Sequence, residues 1–80
     1  HVMTVNLKRL KAERIASGMT QDEVAQKMGW KSRTPYAKRE NGLVSIGADE
    51  LAKITKIFGL PMEKITIFFS ENVPEMEQTA

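Results

Sequence analysis

The stretch MTQDEVAQKMG, residues 19–29, constrains this chain more than any other, because it specifies both ends of one short helix. Thr20 and Glu23 form the T-x-x-E pattern of a capping box, and Met19 and Val24 stand where a hydrophobic staple needs them. Val24, Ala25 and Met28 share one face, and Gly29 can close the helix in the left-handed conformation that costs glycine no steric penalty. A helix of about two turns buries little by itself. It must be sandwiched by neighbours reached through tight turns.

Those neighbours are legible on both sides. Leu7, Leu10, Arg14 and Ile15 recur at helical spacing, predicting an amphipathic first helix that stops near Gly18. After Trp30 comes KSRTPYAKRENG, residues 31–42, predicted as a third helix closing at ENG. Thr34 suits its N-cap with Pro35 in the first helical position, and Ser32 is the rival cap. Leu51, Ile54, Thr55 and Phe58 mark a fourth helix, with Asp49 and Glu50 favourable at its positive end and Gly59 beyond its last turn. Pro61 suits the first position of a short fifth helix. The segment ITIFFS, residues 65–70, reads equally as strand or as the end of a buried helix. The expected organisation is one all-α domain over residues 3–70, a compact bundle of four to five helices with a short extended or helical C-terminal segment. An acidic, mobile tail is expected over residues 71–80. Met3 is the expected native start, with His1 and Val2 a remnant ahead of it.

Charge is distributed unevenly. Residues 1–40 carry nine Lys/Arg against four Asp/Glu, a net +5, whereas residues 41–80 carry three against six, a net −3. Four cations, Lys31, Arg33, Lys38 and Arg39, crowd into nine residues of the third-helix segment, as a surface facing a polyanion requires. A solvated surface of mixed charge has the same composition, so the motifs must decide.

The stretch RIASGMTQDEVAQKMGWKSRTPYAKRENG, together with LAKITKIFGL after it, resembles the helix-turn-helix family of phage repressors and Cro proteins, the Xre type, over roughly residues 5–65. The resemblance implies a sequence-specific transcriptional regulator that inserts its third helix into the major groove of a double-stranded operator, most like a prophage repressor acting as a homodimer. It implies a phosphate contact and a bracing role for Gln21. It places Arg33, Thr34 and Lys38 where base edges are read: Arg33 for guanine O6 and N7, Thr34 for a base edge or thymine methyl, Lys38 for guanine or phosphate. Asn41 matches a phosphate-contacting position, Arg14 and Glu40 match a structural ion pair, and Lys31 and Ser32 complete the DNA-facing set. The chain departs from the family at the proline and at Lys31, which reads as an insertion. If the helix begins at Pro35, Arg33 lies in the turn, better placed for phosphate than for a base.

Other classes find less support. One histidine and no cysteine leave no ordinary nucleophile–base pair, zinc site or disulfide framework, and no glycine-rich phosphate loop is present. No enzyme, cofactor, metal or small-molecule substrate is therefore expected. No apolar run approaches the ~20 residues of a membrane span, and the lack of cysteine suits a reducing cytoplasm. Trp30 and Tyr36 are expected between helices rather than stacked on bases. Phe68 and Phe69 are candidates either for a dimer seam or for packing within one chain. An antitoxin or restriction–modification controller with the same fold, and a helical protein-interaction module with a basic face, stand as alternatives.

Overall fold

A computed structural model of the protein describes residues 3–71. Five helices follow a short strand: β1 Met3–Val5, α1 Leu7–Ala16, α2 Gln21–Met28, α3 Thr34–Glu40, α4 Ala48–Ile57 and α5 Met62–Phe68, the last of 3₁₀ type, with a closing strand β2 Phe69–Glu71. The fold class is all-α, with one two-stranded antiparallel ribbon tying the ends of the described chain together, Val5 opposite Phe69 and Met3 opposite Glu71. Of the tail expected over residues 71–80, Glu71 belongs to β2 and the rest lies outside the described residues.

The signals around α2 act as their chemistry dictates. The Thr20 hydroxyl accepts from the Glu23 N–H at 3.1 Å, and the Thr20 N–H donates to the Glu23 carboxylate at 2.8 Å. Gly29 closes the helix at φ 93°, a conformation that any side chain would strain. Val24, Ala25 and Met28 pass into a core shared with Leu10, Tyr36, Leu51, Ile54, Phe58 and Phe68.

Four expectations need correction. Ile15 is 59% exposed. The packed side of α1 runs through Leu10 and the inward-turned Arg14, and Ile15 sits about 100° further round. At α3, neither Ser32 nor Thr34 is the cap. The helix starts at Thr34 with Arg33 as N-cap in helical geometry (φ −69°, ψ −25°) and no side-chain cap. Pro35, in the second position, has no N–H, so the first turn has one fewer orphan donor to satisfy. Pro61 stands just ahead of α5 with extended backbone, ψ 148°, and its carbonyl accepts from the Lys64 N–H at 2.8 Å.

The fourth correction concerns Phe68, which is fully buried within the single chain, its ring 6.2 Å from that of Phe58 and edge-on at 67°. It is a core residue and not a seam residue, because exposing it to a partner would open the core. Phe69 is half-buried and packed against the core. Residues 65–69 therefore divide, helical through Phe68 and extended from Phe69. The β1 strand was not legible beforehand: three residues carry no periodicity, and their partner lies at the other end of the domain.

Candidate nucleic-acid interface

Helix α3 has three sides with different tasks, set by the 100° step between residues. Tyr36 and Glu40, one turn apart, point into the protein, at 0% and 6% exposure. Thr34 and Lys38, also one turn apart but about 200° round, are exposed. Pro35 and Arg39 form the third side, which meets α4 and the turn after α2.

On the inner side, Glu40 gathers donors from three helices. Arg14 Nε donates to Oε2 at 2.8 Å and Nη2 to Oε1 at 3.3 Å; Gln21 Nε2 donates to Oε1 at 2.7 Å, and the Tyr36 hydroxyl to Oε2 at 2.9 Å. Arg14 Nη1 also donates to the Met19 carbonyl at 2.8 Å, pinning the turn before α2. Burial of Glu40 opposes its charged form, but the hydrogen bonds from Arg14, Gln21 and Tyr36 outweigh it and hold the carboxyl below its ordinary value. Burial, reinforced by the adjacent Glu40 carboxylate, pushes the Tyr36 hydroxyl well above the usual phenol range. No buried side-chain nitrogen or oxygen among the described residues lacks a hydrogen-bond partner. A buried charge so fully satisfied fixes α3 against α1 and α2.

Most of the residues singled out in the sequence are exposed on α3 or beside its ends. Lys31, Ser32 and Arg33 lie in the turn, Thr34 and Lys38 on the helix and Asn41 at its C-cap, all exposed. Gln21 is half-buried at the first position of α2 and spends one of its two amide N–H donors on Glu40. Arg33, as N-cap, stands at the mouth of the helix and not on its side. Arg39 leaves the cationic group altogether. Its Nε and Nη2 donate to the two oxygens of Glu50 at 2.9 and 3.1 Å, Nη1 donates to the Pro35 carbonyl at 2.8 Å, and the guanidinium carbon lies 4.6 Å from the centre of the Trp30 ring. Glu50 is held below its ordinary pKa, mainly by the Arg39 hydrogen bond. The opposite charges of Arg39 and Glu50 were visible in the sequence, but the pairing crosses a loop whose course was not. Trp30 is half-buried and Tyr36 fully buried.

Among the described residues, no group of three or more His, Cys, Asp or Glu side chains is disposed to hold a metal ion, and no helix is long and apolar enough to cross a membrane. Two short helices joined by a tight turn, the second locked on its inner side and cationic on its outer side, make a helix-turn-helix unit. The helix-turn-helix family model matches residues 10–65, and the chain belongs to that family, of the Xre type. No curated protein and no solved structure matches the chain. Membership implies DNA as the partner and transcriptional regulation as the role, in a family that is generally not enzymatic.

Proposed function

We propose that the protein is a sequence-specific transcriptional repressor of the prophage type that inserts α3 into the major groove of a double-stranded operator. The observation that carries this reading is the division of α3: its inner face is immobilised on Glu40 while Thr34 and Lys38, with Lys31 and Arg33 beside them, stand in solvent. Thr34 and Lys38 are the residues in position to meet base edges, and Lys31, Ser32, Arg33 and Asn41 flank them at the positions a phosphate backbone would occupy. Gln21, braced by Glu40, offers its remaining N–H to a phosphate. Residues 3–70 form the DNA-binding unit, working in the cytoplasm.

One such unit reads only a few base pairs, so two copies related by a two-fold axis, with α3 helices about 34 Å apart, are the geometric solution for an operator. With Phe68 in the core, Phe69 is the remaining apolar candidate of the C-terminal segment for that contact. Selection of bound sequences from random duplex DNA tests the whole reading. A two-fold symmetric consensus supports it; enrichment of no sequence above background contradicts it.

A further inference from the structure

Arg39 belongs to the cationic segment and yet is not presented to solvent with the rest. Its side chain is 18% exposed, and it touches three other places in the chain. It stacks on Trp30, the residue that enters the turn before α3. It donates to the Pro35 carbonyl in the first turn of α3 while springing from the last turn of the same helix. It clasps both oxygens of Glu50 in the first turn of α4, and Glu50 in turn accepts from the Gly47 N–H at 3.1 Å, satisfying a helix end that has no side chain of its own to cap it. The start of α3 lacks a side-chain cap and follows a turn whose next three residues, Lys31, Ser32 and Arg33, are exposed.

We infer that Arg39 is a positioning residue for DNA reading, holding Trp30, the first turn of α3 and the start of α4 in one arrangement so that Lys31, Arg33, Thr34 and Lys38 are presented in fixed register. This inference rests on the DNA-binding reading above. It differs from the obvious assignment of a helix arginine in such a protein, a direct phosphate contact. A planar fork with three donors committed and one face covered by indole has little left for phosphate.

The two roles separate by sign. Binding of the selected duplex and of a scrambled duplex is measured over a range of salt for the parent, Arg39→Lys, Trp30→Leu and Glu50→Gln. For a positioning residue, all three variants lose preference for the selected duplex, by between about fivefold and a hundredfold, the span that one well-made base contact commands. Arg39→Lys and Trp30→Leu keep the parent's salt slope, because no phosphate contact has been removed. For a phosphate contact, Glu50→Gln frees the arginine and tightens binding, Trp30→Leu leaves the preference intact, and that result overturns the inference. Hydrogen exchange on the DNA-free protein supplies an independent arm. The Ala37 amide, bonded to the Arg33 carbonyl at 2.9 Å in the parent, exchanges faster in Arg39→Lys while amides of α1 keep their protection. Unchanged exchange there overturns the clasp itself. A parent that prefers no duplex sequence overturns the DNA reading and the recognition role together, and the exchange arm still decides whether Arg39 holds the turn.

Discussion

Glu40 and Arg39 are adjacent in α3 and both are ion-paired, but Glu40 has 2% of its side chain exposed and takes donors from Arg14, Gln21 and Tyr36, whereas Arg39 is 18% exposed and its partner Glu50 is 30% exposed. Solvent makes the difference in what each can contribute. At Glu40 a lost partner cannot be replaced by water, so removal leaves an uncompensated buried charge. At Arg39 water can take the place of part of a lost contact, so the pair is expected to contribute less to net stability than the buried one, and direction is what we propose its contacts supply. The same helix thus carries one clamp on which the fold depends and one on which its aim depends.

The comparison breaks first at its strongest point. Arg14→Ala is expected to cost about 3–5 kcal/mol, because it strands the Glu40 carboxylate in the core. Thermal denaturation checks it, and a variant as stable as the parent would show that the buried clamp carries no weight. A similar loss, about 3–5 kcal/mol, is expected for Phe68→Ala from the cavity it leaves, with no change in association measured by sedimentation. Weakened association at unchanged melting temperature would restore Phe68 to a dimer seam.

Tyr36→Phe should cost about 1.5–3 kcal/mol, the range for a hydrogen bond to a charged group. Its pH dependence sharpens the assignment. The Tyr36 hydroxyl is raised in the folded state, so its contribution is present below the ordinary phenol value of 10.0 and is lost as pH rises beyond it; the alkaline limb of the stability curve should flatten in Tyr36→Phe. Glu40 is depressed, so its contribution is present above the ordinary carboxyl value of 4.5 and fades as pH falls below it. The acid limb should be shallower in Glu40→Gln than in the parent. At the partly exposed clamp, Arg39→Lys, which keeps the charge, should change stability by about 1 kcal/mol or less while DNA preference falls. A loss as large as that of Arg14→Ala would erase the distinction between the clamps.

What the sequence disclosed followed from range. The cap and stop of α2 are interactions of three or four residues, so Thr20, Glu23 and Gly29 announced them before any tertiary contact was known. The Arg14–Glu40 pair came through family resemblance, since nothing local links residues 26 positions apart. The second clamp was hidden for the same reason without that help: Arg39 looked like one more cation of a basic run, and only the path of the loop to α4 brings Glu50 to it. Strand β1 and the burial of Phe68 likewise depend on the two ends of the domain meeting. Local rules also misplaced the start of α3, because a proline in the second helical position removes a donor that a cap would otherwise serve.

The central claim is that the outer side of α3 meets the DNA backbone and bases. The measurement that tests it most directly is the salt dependence of duplex binding, parent against Lys38→Ala. Each cation that meets a phosphate contributes about 0.9 to the log–log slope, so Lys31 and Arg33 should give each copy of the chain about −1.8, and about −2.7 if Lys38 meets phosphate too. If Lys38 meets phosphate, its removal reduces the slope by about 0.9 per bound copy of the chain on every sequence; if it meets a base, the loss concentrates at one position of the selected site. Either result places α3 on DNA. Unchanged affinity, slope and preference in Lys38→Ala would contradict the account and remove this face of the helix from the interface.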